Sequence, residues 1–333
     1  YTRTVPCELW HFDREKPAER RDKVLMLDAR NIYRKVTRKI FDFSPEQMKN
    51  LASIIWLYRG QKERFLSLVR EYLDSVCTES TAIPDRLSSF EASLTDLRGR
   101  FDRLTDTVAR RAELANANKQ SLFDAVSELR ETATLYESDR TKLLDNLSAF
   151  GGTYSERLPA QNDGQHKARA DFNPIADEIR GLVKQVDLLY KLAVRVSDQC
   201  TELASDEAIA ADYDRRATSK CVKQLDGERR AAVEQLRQAV YFHRQIVWLQ
   251  DRFPEAELQA VPGLVRLVDL KEIEAADWSL TPGRYVGVAP QEEDEDFDFE
   301  QTLKDIHTEL ADLNREAAEL AVKIQANFEE LGI

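Results

Sequence analysis

Side chains able to do chemistry are few and scattered in this chain. His11, His166, His243 and His307 show no ligand-like spacing, and a lone histidine on a helix is more often a surface or core residue than a catalyst. Cys7, Cys77, Cys200 and Cys221 form no C-x-x-C pair, so neither a zinc site nor a disulfide framework follows, and reduced thiols in a cytoplasmic setting are expected. No G-x-x-x-x-G-K-[ST] is present, which argues against an ATPase built on a helical arm. Asn173-Pro174 precedes Ile175 and reads as a helix start, while Phe150-Gly151-Gly152 reads as a loop without the flanking strand and helix of a cofactor cradle. Asp13 and Asp28 end two apolar runs. Open α/β sheets bind ligands at strand carboxyl ends, so the two carboxylates either approach such a pocket or cap their strands.

Those two runs need a sheet. Leu9, Trp10 and Phe12 make one and Val24, Leu25, Met26 and Leu27 the other, and the connection Asp13 to Asp22 is too short for the crossover helix of parallel neighbours. They should pair antiparallel or lie apart. A lone hairpin is marginal in water, and a run apolar on both faces expects layers above and below it.

Elsewhere the chain reads as helix. Gly at 11 and Pro at 10 are sparse, and charged residues are 32%, the balance of long exposed helices in a mainly α protein. A net charge of -12 argues against the whole chain being a nonspecific phosphate binder, though local basic faces remain open. No apolar run approaches the roughly 18 to 20 residues of a membrane span, and no signal peptide opens the sequence. The chain begins at Tyr1 rather than Met, which fits an excised segment of a longer polypeptide; processing would do the same.

The spacing divides the chain into 1–30, with the two strands; 31–80, helices packing on that sheet; 81–252, an antiparallel coiled-coil arm; 253–291, a small strand-helix-turn segment; and 292–333, an acidic linker and terminal helix. Ser44-Pro45-Glu46-Gln47 offers a capping box for a helix with Met48, Leu51, Ile55 and Tyr58 on one face, ending near Gly60. A second helix carries Phe65, Leu68, Val69, Tyr72, Leu73 and Val76. Steps of three and four then mark narrow seams, interrupted by a loop from Gly151 to Asp171. They predict that Leu94, Leu97, Phe101, Ile179, Leu182, Val186 and Leu189 are buried between antiparallel helices. The charged faces read as solvated, with DNA contact along Arg98, Arg100, Arg103, Arg110 and Arg111 as the alternative. Gly263 to Val268 reads as a strand, with Asp269 and Glu272 capping a brief helix and a Pro-Gly turn in WSLTPGRYVGV. After the carboxylates between Glu292 and Glu300 comes a last seam, in which Leu303, Ile306, Leu310, Leu313, Leu320 and Ile324 read as a partner-docking line.

Three blocks carry a family resemblance: LWHFDREKPAERRDKVLMLDARNIYRKV, FSPEQMKNLASIIWLYRG, and WSLTPGRYVGV followed by acidic residues and a heptad helix. In this order they resemble the C-terminal part of the modification subunit of type I restriction-modification systems, an adenine-specific (N6) DNA methyltransferase. The blocks cover roughly the first 75 and last 70 residues. The resemblance implies that Cys7–Asp13 and Val24–Asp28 are the last two strands of an α/β methyltransferase sheet. The S-adenosylmethionine loop and the motif that holds the flipped adenine would then lie outside this chain. It also implies a specificity subunit, a restriction subunit and DNA as partners, with the terminal helix as docking element and this chain alone inactive. The other reading is a stand-alone coiled-coil scaffold without enzymatic activity, for which paired N-terminal strands have no evident use.

Overall fold

The computed structural model describes residues 7–35, 40–110, 116–204 and 213–289. It is mainly helical, with a two-stranded antiparallel sheet and a second short hairpin. The terminal seam and its acidic approach, including Leu303 to Ile324, lie outside the described residues, as does Arg111.

Helix α1 (Pro45–Tyr58) starts as its sequence dictates. The Ser44 hydroxyl accepts from the Gln47 N–H at 3.1 Å, and the Gln47 side chain accepts from the Ser44 N–H at 2.9 Å. Gly60, at φ 72°, turns the chain into α2 (Lys62–Thr81). Helix α3 (Ile83–Arg110) follows after a break at Ala82. Pro84, in the first turn of α3, explains the break, since it has no N–H to donate back to the Ser80 carbonyl of α2. Helices α4 (Asn116–Tyr154), α5 (Asn162–Leu203) and α6 (Arg215–Arg252) complete the long elements.

With α2 and α3 as one leg, the four legs run up and down in turn. Tyr136 and Arg130 of α4 reach Glu91 and Asp102 of α3; Asn146 and Asp139 of α4 meet Glu178 and Gln185 of α5. Arg229 and His243 of α6 meet Asp187 and Asn173 of α5, and Gln235 and Cys221 of α6 meet Glu79 and Asp96. In each pair of helices one number rises as the other falls, which is the signature of antiparallel neighbours.

All seven side chains predicted for the seam are buried, Leu97, Ile179, Val186 and Leu189 completely. The buried faces are nevertheless wider than the pattern of large residues, because Ser93, Thr105, Ala125, Ala176 and Ala232 lie inside as well. Each leg therefore packs on two neighbours, and the long helices of residues 81–252 share a four-leg core with α2.

Four local expectations are corrected. Residues 151–171 are not one loop: α4 runs through Gly151 and Gly152 to Tyr154, and α5 begins at Asn162, with Pro174 inside it. Asn173 is no cap but turns its amide oxygen to His243 of α6, 2.9 Å away. Helix α1 buries Asn50, Ser53, Ile54 and Leu57, leaving Met48 and Ile55 exposed. The rotation follows from polar satisfaction, since Asn50 accepts from the Tyr72 hydroxyl at 3.0 Å and donates to the Gln245 side chain at 2.8 Å. Cys7–Asp13 is not a strand; Leu9, Trp10 and Phe12 are exposed.

Strand β1 (Lys23–Leu27) instead pairs with β4 (Val265–Asp269), Lys23 opposite Asp269 and Leu27 opposite Val265. The minor hairpin joins β2 (Arg34–Lys35) to β3 (Phe41–Asp42). The layers expected around VLML are present. Leu25, Leu27 and Val265 pack on the bundle core with Ile54, Leu57 and Phe65, while Val24, Met26 and Val268 meet Ile273, Tyr285 and Val286 on the other side. Helix α7 (Leu270–Ala275), in that outer layer, carries the expected Asp269–Glu272 capping box.

Two outcomes test this packing. Phe101, 1% exposed, should cost about 3 kcal/mol on replacement by Ala, read by denaturant unfolding. His243 is buried beside Arg169, Arg180 and Arg244; burial first and then these charges push its pKa from 6.5 to about 4. The folded chain therefore binds this proton more weakly than the unfolded chain. Its contribution is complete above pH 6.5 and is lost as pH falls toward 4, by about 3 kcal/mol over 2.5 units. His243→Asn should flatten the stability profile across that window.

Candidate interaction surface at the sheet edge

The register of the sheet decides which backbone groups are satisfied. The Asp28 N–H donates to the Leu264 carbonyl at 2.8 Å, so Val24, Met26 and Asp28 turn their peptide groups toward β4. Lys23, Leu25 and Leu27 turn theirs outward. The Lys16 ammonium takes the Lys23 carbonyl. The outward groups of Leu25 and Leu27 meet no hydrogen-bond partner among the described residues. On β4 the matching outward groups of Val265 pair with Val261, N–H to carbonyl at 2.8 and 3.0 Å. Among the described residues the sheet thus has a bare edge at Leu25 and Leu27, lying between two apolar layers. No proline, bulge or inward charge blunts that edge, and unblunted apolar edges are where further strands add.

Beyond the sheet, Gly263 holds the outer layer close. It sits at φ 74° and donates to the Val286 carbonyl at 2.7 Å, and a Cβ there would stand 2.3 Å from the Ala289 nitrogen. The chain then presents apolar groups around this end. Leu9, Trp10 and Phe12 precede β1, Met48 and Ile55 line the outer side of α1, and Trp278 is 62% exposed at φ 56° just after α7. The hydrophobic pattern could have shown Met48 and Ile55 as a second face of α1; nothing in the sequence marked Asp277 and Trp278 as left-handed.

The sequence-derived candidates separate in space and role. The Asp13 carboxylate accepts from the Glu15 N–H at 2.9 Å in an exposed turn. Asp28 does end a strand. It accepts from the Arg30 N–H at 3.0 Å and from its guanidinium at 2.6 Å, and these bonds hold its pKa below the usual carboxylate value. Both serve as caps. Arg98 lies 3.6 Å from Glu137 and Arg100 3.2 Å from Asp96, while Arg103 donates to the Gly99 carbonyl and Arg110 is exposed. Burial pushes the thiols of Cys77 and Cys200 up to about 11 and about 12, which keeps them protonated and unreactive. His166 bonds the Pro254 carbonyl, and no group of His, Cys, Asp and Glu among the described residues could hold a metal.

One cavity, of about 420 Å³, opens between α3 and α6. Its lining includes Ser89, Ser93, Asp96, Cys221 and Glu228. Without a glycine cradle or an aromatic wall it does not suit a nucleoside cofactor. Among the described residues no helix is long and apolar enough to cross a membrane. No family model, curated protein or solved structure matches this chain.

The edge geometry has a direct spectroscopic consequence. Amide exchange resolved by NMR should alternate along β1, slow at Val24, Met26 and Asp28 and fast at Leu25 and Leu27. Uniform protection of all five would mean that the outer edge is covered.

Proposed function

We propose that this chain is the C-terminal part of a type I restriction-modification DNA methyltransferase subunit. In the complete protein it would serve N6-adenine methylation with S-adenosylmethionine. This part would serve assembly with the specificity subunit and closure around DNA, with the restriction subunit joining the complex. The observation that supports the reading most is the bare edge of β1. A strand backed by apolar layers on both faces, with unpaired peptide groups at Leu25 and Leu27, suits continuation of a sheet by further strands. The three sequence blocks agree with it, and two of them, around VLML and WSLTPGRYVGV, meet in one sheet and its outer layer. The residues that would bind S-adenosylmethionine and flip adenine belong outside this chain. No step of that chemistry is assigned to residues described here.

A stand-alone helical scaffold has its own support in the β1–β4 pairing, which supplies β1 with a partner from within the chain. Assembly separates the two readings. Replacing Leu310 and Leu313 together by Asp should abolish co-purification with a specificity subunit while leaving the helix content of the free chain nearly intact. Unfolding of the whole chain by circular dichroism would place that seam in the chain's own core and remove the docking assignment.

A further inference from the structure

On the α3–α6 side of the bundle's distal end, away from the sheet, the local charge is unlike that of the chain as a whole. Over residues 99–110 of α3 and 213–224 at the start of α6, seven Lys and Arg face three Asp, in a chain of net charge -12. Two of these carboxylates are already engaged. Asp102 binds Arg130 of α4 at 2.7 Å, and Asp214 caps α6 by accepting from the Ala217 N–H at 2.9 Å. Arg100 is engaged as well, with Asp96. Arg103, Arg110, Arg215, Arg216, Lys220 and Lys223 are exposed, and none has a carboxylate within ion-pair distance among the described residues.

These cations form two rows. Arg103 and Arg110 lie two turns apart on the side of α3 that carries Asp96, and Asp96 accepts from the Cys221 thiol of α6 at 3.2 Å, so this side meets α6. Arg216, Lys220 and Lys223 recur at steps of four and three along α6. Each row spans about 10 Å at 1.5 Å per residue. Helix α6 also opens on Arg215 and Arg216 with no acidic residue in its first turn, against the preference of that end for negative charge. The Asp214 carboxylate occupies the helix terminus itself, so the arginines and lysines act along the outer side of α6 rather than at its N–H groups.

We infer that this α3–α6 face binds the phosphate backbone of duplex DNA. Two rows of cations spaced along helices suit a regular polyanion that offers one phosphate per about 1.7 Å of axis. Single strands are held largely by stacking on exposed aromatics, and the aromatics of this face, Phe101 and Tyr213, are buried. Acidic surroundings elsewhere confine the contact to the tip. The choice of DNA over another duplex rests on the proposed membership of a DNA-modifying assembly; the phosphate chemistry does not.

Fluorescence anisotropy with a labelled 30-base-pair DNA duplex of mixed sequence tests the inference on the full chain. Binding should be insensitive to sequence and fall on the order of 100-fold between 50 and 200 mM KCl, as a handful of phosphate contacts requires. Arg103→Glu, Arg216→Glu and Lys220→Glu combined should weaken it at least tenfold, and the corresponding Gln changes should weaken it less. Lys167→Glu, Lys184→Glu and Lys191→Glu, an equal charge change on α5, should leave it within twofold. Absence of binding at 50 mM KCl, equal loss in the α5 variant, or tighter binding of single-stranded DNA or duplex RNA would overturn the assignment. Co-purification of the distal variant with the specificity subunit separates the two proposals: lost DNA binding with retained assembly concerns the tip alone, and lost assembly through Leu310 and Leu313 concerns docking alone.

Discussion

An even number of antiparallel legs returns a chain to the end from which it set out, and the rest of this structure depends on that constraint. Because α2 and α3 run as one leg, α6 ends beside the start of α2, where the rings of Phe253 and Phe65 meet edge to face at 6.2 Å. Only then can Val265–Asp269 reach Lys23–Leu27. The five-residue ladder between them is too short to stand alone in water. It persists because the returning chain supplies bundle core on one face and Ile273, Tyr285 and Val286 on the other. A fifth leg, or one leg fewer, would leave both strands without partners.

Apolar burial holds the bundle together, and polar contacts select its alignment. Small and large side chains alternate closely enough along the seams that a shift by one turn would still bury apolar surface. It would also separate His243 from Asn173, Arg229 from Asp187 and Asn50 from Gln245. Leaving such groups buried and unpaired costs about 1–3 kcal/mol each. Arg229 illustrates the density of these ties, since it pairs with Asp187 and Asp226 and stacks on Tyr190 at 5.0 Å. Several of them sit at the margins of the core, where a charged or amide group can meet its partner without full loss of water.

The two ends of the bundle then differ in kind. At the sheet end lie unpaired peptide groups, exposed aromatics and a left-handed Trp278, features suited to protein surfaces. On the α3–α6 side of the other end lie exposed cations with no ion-pair partner among the described residues. Four long helices separate these chemistries by a distance on the order of 50 Å.

Much of the fold was legible in the residues because the interactions responsible are local. The Ser44–Gln47 and Asp269–Glu272 boxes, the Gly60 turn, and the three-four spacing through Leu97, Phe101, Ile179 and Val186 act within one or two turns of helix, and each appears where the sequence placed it. Chain position also identified Val24–Leu27 as a strand needing two covering layers. The partner of that strand was not legible, because hydrogen bonding between residues at opposite ends of the chain leaves no local trace. The same holds for the facing of α1, which follows from Asn50 finding Tyr72 and Gln245, and for Pro174 lying within α5, where the chain is helical upstream of the start that Asn173-Pro174 suggested. Nor could a row of arginines reveal whether carboxylates on other helices neutralise it. Charge pattern along the chain determined that cations were available; only the tertiary structure decided that Arg98 and Arg100 are paired while Arg103, Arg216 and Lys220 meet no carboxylate among the described residues, because that depends on which helices become neighbours.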